Sequence, residues 1–157
     1  TLSLHDALPI SQTGINKDTA VSQYNLGATN QITGVIMGFG PNPSVVSLGY
    51  GAASTLRLVY VADAPDLMFE AQGDGLVTPI AIASIGLNIN LVSGAGSAYT
   101  HKSGWMLNED SLGSDATYQL TIRGLVERED NEPAVAYGKY LCTINLHTNR
   151  LAAVAGL

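Results

Sequence analysis

The side chains that could do chemistry in this 157-residue chain are few. His101 and His147 stand far apart, and neither has a second His, Cys or acid at metal-ligand spacing, so both read as surface or turn histidines. Cys142 is the sole cysteine and sits between Leu141 and Thr143 in an apolar run. A small buried hydrophobe fits that setting better than a nucleophile, and a lone cysteine closes no intrachain disulfide. The run Glu127-Arg128-Glu129-Asp130-Asn131-Glu132 offers oxygens to a hard cation, but it lacks the glycine turn and ligand spacing of a calcium loop. It reads as a solvated acidic turn. Gly94-Ala95-Gly96-Ser97 superficially suggests a phosphate cradle, yet no Gly-Lys-Ser/Thr and no good helix follow, which leaves a flexible loop. Asp63 and Asp66 could face each other as acid and base, but the Ala64-Pro65 turn between them explains both. No catalytic set, cofactor motif or metal set emerges, and a noncatalytic protein is expected.

The elements that would position such residues read as strands. From position 55 to 72, Leu56, Leu58 and Tyr60 alternate with Arg57, Val59 and Val61, the period-two pattern of a pleated strand. Pro65 fixes its own φ and drives Ala64 out of the helical region, so 62–66 is a turn, and 67–72 resumes as a second strand. Two apolar strands about an Asp/Pro turn predict a hairpin, the most strongly patterned segment of the chain. Further strands are expected at 31–39, where Gly34 and Gly38 imply a bulge or close backbone approach, and at 45–50, 86–92, 116–126 and 137–146. Residues 80–85 suit either helix or strand, whereas 12–30 reads as loop with at most a short edge strand. Residues 93–104 read as a loop and 108–115 as a polar run, on either side of a short apolar anchor, Trp105-Met106-Leu107. The expected fold is all-β: a single-domain antiparallel β-barrel or sandwich with long loops and at most one short helix. Its core should hold Leu56, Leu58, Tyr60, Phe69, Ile89, Leu120, Ile122 and Ile144, each on the more apolar face of its strand.

Composition bounds the function. An apolar fraction of 46% with 13% charged residues belongs to a globular domain, and 17 glycines favour strands joined by tight turns. A net charge of −6 argues against nucleic-acid binding, which needs clustered Lys and Arg. The most apolar window, 80–92, is interrupted by Ser84, Asn88 and Asn90 and falls short of the roughly 18 residues a membrane helix needs. Residues 1–11 look like the translation of a DNA-sequencing adapter, so His5 and Asp6 carry no functional weight and the segment is expected to add nothing to the fold. The chain then divides into this segment, an irregular stretch at 12–30, a β-domain at 31–147 and a tail at 148–157.

Several ordered blocks carry a resemblance. Gly34-Val35, Gly38-Phe39, Ala53-Ser54-Thr55, Tyr60-Val61-Ala62-Asp63, Pro65-Asp66, Phe69-Glu70, Gly124-Leu125-Val126, Asp130-Asn131-Glu132 and Ile144-Asn145 together resemble a family of tailed-phage virion proteins. Its members are encoded beside the major coat protein of short-tailed phages and are called structural, decoration or cement proteins. The chain departs from the family pattern at its N-terminal segment, at Leu146 between Asn145 and His147, and at Pro133-Ala134-Val135 in the acidic loop. The resemblance implies a noncatalytic protein made in the host bacterial cytoplasm and placed on the capsid surface. There it would bind the phage major coat protein, as a dimer or trimer, without nucleic acid, membrane or cofactor. The alternative is an adhesive β-domain binding carbohydrate or another small molecule, with Trp105, Tyr99 and Tyr137 forming a stacking platform.

Overall fold

In the computed structural model, which describes residues 2–3, 9–12, 21–23, 26, 30–41, 57–76, 79–100, 102–150 and 152–157, β-branched and aliphatic runs punctuated by Gly, Pro, Asn and Asp form ten strands among those residues. They are β1 (Leu2–Ser3), β2 (Pro9–Gln12), β3 (Val21–Gln23), β4 (Gly34–Phe39), β5 (Val59–Ala62), β6 (Met68–Gln72), β7 (Asn88–Gly94), β8 (Gly104–Gly113), β9 (Leu120–Leu125) and β10 (Lys139–Ile144). The ambiguous run at 80–85 contains one turn of 3-10 helix, Ile82–Ser84. One sheet has the order β1-β6-β10-β9-β7-β8 and the other β3-β2-β4-β5. Strand pairing is antiparallel except for β1 on β6. The architecture is all-β and sandwich-like, with no closed barrel. None of the described residues forms a helix long and apolar enough to cross a membrane.

The core follows from alternation. Phe69 and Ala71 of β6, Ile89 and Leu91 of β7, Trp105 and Leu107 of β8, Leu120 and Ile122 of β9, and Tyr140, Cys142 and Ile144 of β10 all point to one face of the large sheet. Ile32 and Val35 meet them from the small sheet, and Ile80 from the connection after β6. Each such large side chain, once buried, contributes roughly 1.5–3 kcal/mol. Five of the expected core residues, Phe69, Ile89, Leu120, Ile122 and Ile144, are in this set.

The patterned segment at 55–72 is not a hairpin. Its turn forms as the sequence requires, with Pro65 in the turn and Leu67 N–H donating to the Ala64 carbonyl at 3.2 Å. Yet β5 pairs with β4, while β6 pairs with β10 and β1, so the turn carries the chain from one sheet to the other. The burial expected for β5 is corrected with it. Ala62 opposes Val35 and packs on the core, but Tyr60 opposes Gly38 and Leu58 lies beside Gly40, toward the outer end of the ribbon. The same face of β5 thus overhangs the sandwich, leaving Leu58 76% and Tyr60 57% exposed. Leu56 and the run at 45–50 lie outside the described residues.

Two further expectations change, and the tail gains a role. Segment 1–11 joins both sheets: β1 pairs with β6, and β2 lies between β3 and β4, with Ile10 buried and its carbonyl accepting from Thr33 N–H at 2.8 Å. The polar run after Leu107 continues as β8 to Gly113 because a side chain repairs its irregular register. There the Ser111 hydroxyl accepts from Asn90 N–H at 2.9 Å and donates to the Asn108 carbonyl at 2.7 Å. The C-terminal tail is clamped. Asn88 and Asn145 donate from their carboxamides to the Val154 carbonyl at 2.8 and 3.1 Å, and Val154 N–H returns a 2.9 Å bond to Asn145 Oδ1.

Candidate functional site

The most unusual chemical group in the sandwich lies near the end of the core face of β8. Trp105, Leu107 and Glu109 alternate onto that face, so a carboxylate occupies a core position at 2% exposure. Neither of its oxygens has a hydrogen-bond partner. Three segments meet around it. Gly73, just beyond β6, packs so closely that any side chain there would overlap Glu109 Oε1. Its N–H donates to the Gly138 carbonyl at 2.9 Å, while Asp74 N–H donates to the Leu107 carbonyl at 3.0 Å. From β10, Tyr140 sends its hydroxyl to the Ile80 carbonyl at 2.8 Å.

Burial, with Asp74 beside it, raises the Glu109 carboxyl from the ordinary 4.5 to about 7; Leu76 N–H opposes this, and Asp110 adds to it. Tyr140 is pushed up by burial and then by Glu109. The loop above is held in uncommon backbone: Ala134 and Tyr137 have φ of 56° and 60°, a region that disfavours side chains. Tyr137 lays its ring over Gly75, itself at φ 73°. Asn131 closes the base of this loop, donating to the Val126 and Lys139 carbonyls at 2.7 and 2.8 Å and accepting from Lys139 N–H at 2.8 Å. The sequence hides Glu109 within the polar run 108–115. Its place two residues beyond Leu107 in an alternating run was the available signal.

The opposite face of the large sheet is polar and braced by side chains. Arg128 donates to Glu70 Oε2 at 2.6 Å, and Arg123 Nε to Thr143 Oγ1 at 3.0 Å. Thr121 Oγ1 donates to Asn88 Oδ1 at 2.7 Å. Strand register puts Met68, Leu141 and Lys139 on the same side. Elsewhere, Leu26, Asn90, Leu91, Val92, Asn108, Thr117, Tyr118 and Gln119 line an open groove of about 380 Å³.

The candidates named from sequence are scattered among these features. His147 is 1% exposed rather than a surface residue, because its segment bridges to Ile32 between the two sheets. Its Nδ1 accepts from Asn149 N–H at 2.9 Å, its Nε2 has no partner, and burial, followed by Arg150, lowers its pKa. Cys142 is fully buried on β10, and burial pushes its thiol up to about 12. Glu127, Glu129, Asp130 and Glu132 are exposed around the buried Asn131. Gly94 ends β7, and Ala95, Gly96 and Ser97 lie in an exposed loop. Asp66 meets Arg150 at 3.5 Å rather than pairing with Asp63. Trp105 is buried in β8, whereas Tyr99 and Tyr137 are exposed, so the three aromatics form no common platform. His5, Asp6 and His101 lie outside the described residues. Among the described residues, no group of three His, Cys, Asp or Glu side chains could hold a metal ion. Comparison with protein-family models, with curated proteins and with solved structures finds no match to the chain.

Proposed function

We propose that the protein is a noncatalytic virion structural protein that docks on the phage capsid lattice and stabilises it. The observation that supports this most is the braced outer face of the large sheet. A surface whose arginines are already held, Arg128 by Glu70 and Arg123 by Thr143, loses little conformational freedom on docking, which favours binding to another rigid protein surface. The overhanging ribbon adds to the reading. Leu58 and Tyr60 on the edge strand β5, with Met37 on β4, are exposed apolar side chains of the kind buried in subunit interfaces. They are the surface that dimer or trimer formation would cover. Modest affinity per copy suffices on a repeating lattice, because neighbouring contacts raise the effective concentration. A net charge of −6 directs docking to the protein shell, since packaged DNA repels the chain.

Cosedimentation with purified coat-protein shells tests the proposal. Binding that saturates at a fixed ratio of copies to coat subunits is expected, and weakened binding of Arg123→Glu would place the interface on the outer face. Full recovery in the supernatant at about micromolar concentration overturns the reading. The groove beside β7 and β8, with its neutral carboxamides and Tyr118, favours the saccharide alternative. A neutral glycan that binds there and is lost in Asn90→Ala would replace the lattice reading with that one.

A further inference from the structure

Glu109 is neither part of the docking face nor satisfied within the fold. A buried polar group left without partners has a physical consequence, because each ionised oxygen there forgoes the hydration it had in the unfolded chain. The charged groups that face it make ionisation harder, with only the Leu76 N–H acting against them. Asp74 adds negative charge from the turn after β6, Asp110 adds it from β8 itself, and the Tyr140 hydroxyl is committed to Ile80. No cation among the described residues offsets them. The cover over Glu109 also contains the two non-glycine residues at positive φ in the described structure. Gly75, Ala134 and Tyr137 all lie at positive φ, and the Tyr137 ring on Gly75 joins the 73–76 turn to the 133–138 loop. Two backbone bonds, Gly73 N–H to Gly138 and Asp74 N–H to Leu107, hold that cover down.

We propose that Glu109 is a proton-operated latch: with its proton it lets the 73–76 turn and the 133–138 loop close over the end of the large sheet, and without it both swing outward. A carboxyl group kept neutral by an apolar site packs as an ordinary side chain against Gly73. Once ionised, it lowers its free energy most directly by reaching water, and the route lies through the cover. Opening would release the strain at Ala134 and Tyr137 and expose the apolar floor at Leu107 and Tyr140.

Hydrogen exchange read by mass spectrometry tests this on the whole chain at about pH 5 and about pH 9, after correction for chemical exchange. Protection of the Gly73, Asp74 and Gly138 amides should fall roughly ten- to a hundredfold at the higher pH, while β9 amides keep theirs. In Glu109→Gln the difference between the two pH values should vanish. Asp74→Asn keeps Glu109 but removes the neighbouring charge and makes Glu109 easier to ionise, so the midpoint of opening should lie below that of the native chain. Equal protection at both pH values, a pH response retained in Glu109→Gln, or an unmoved midpoint in Asp74→Asn would each overturn the latch.

Discussion

Replacing Ile10 by Ala probes the most consequential strand of the small sheet. Ile10 is 1% exposed, β2 pairs with both β3 and β4, and the Ile10 carbonyl accepts from Thr33 N–H at 2.8 Å. The substitution removes three carbons, each worth about 0.8 kcal/mol in transfer from water, and leaves a cavity that the surrounding strands fill only in part. The expected cost is about 3–4 kcal/mol. For a domain of this size that lowers the melting temperature by roughly 6–15 °C. Trp105, the sole tryptophan and 2% exposed, reports unfolding in urea by its fluorescence. Phe69→Ala, deep in the large sheet, calibrates the scale at about 3–5 kcal/mol. A loss below about 0.5 kcal/mol for Ile10→Ala, beside a full loss for Phe69→Ala, would show that the first residues merely lean on a domain that folds without them.

Other outcomes follow from individual side chains. Because Glu109 titrates near 7 when folded and near 4.5 when unfolded, its contribution to stability is whole below pH 4.5, declines between those values and is gone above 7. Glu109→Gln should therefore gain about 2–3 kcal/mol on the native chain at alkaline pH, and equal urea midpoints there would refute the reasoning. His147 acts in the opposite sense, its lowered pKa removing stability as pH falls, so the comparison is between variants and not along one curve. Arg128→Ala strands a Glu70 side chain that is 9% exposed and should cost about 1–2 kcal/mol, less than a fully buried pair because Arg128 itself is 46% exposed. Adding Glu70→Gln should restore most of that loss, and an additive double mutant would show that the pair does not couple. With its thiol near 12, Cys142 should resist thiol reagents at neutral pH until the chain unfolds, and rapid labelling of native protein would contradict its burial.

The sequence was informative wherever a property belongs to one strand alone. Alternation picked out the buried faces of β7, β9 and β10, and the Ala64-Pro65 turn formed where local chemistry placed it. What alternation cannot say is which sheet a strand joins. The bend at Pro65 is compatible with a hairpin and with a change of sheet, and the choice rests on β4 and β10, which lie far away in the chain. Leu58 and Tyr60 then fall on the apolar face yet beyond the edge of the core, a matter of sheet overlap and not of pattern. Glu109 was hidden for a related reason. Polar residues after Leu107 look like a loop until Ser111 is seen standing in for a ladder bond and prolonging β8. No local pattern marks Asn88 or Asn145, and only the returning tail shows what they hold.

The crossing from β5 to β6 also sets the order in which the protein can come into being. Phe69 pairs with Cys142, and 142 − 69 = 73 residues separate them, so β6 leaves the ribosome long before its antiparallel neighbour exists. At about 5–20 residues per second that interval lasts roughly 4–15 s. Throughout it the edge that β10 will occupy stands open on a nascent chain already carrying Phe69 and Ala71. The small sheet has no such wait, because β2, β3, β4 and β5 all precede β6. Ribosome-bound chains stalled before Lys139 should therefore protect β4 and β5 from protease while leaving β6 open to cleavage; equal protection of both would mean that β6 finds another partner while it waits.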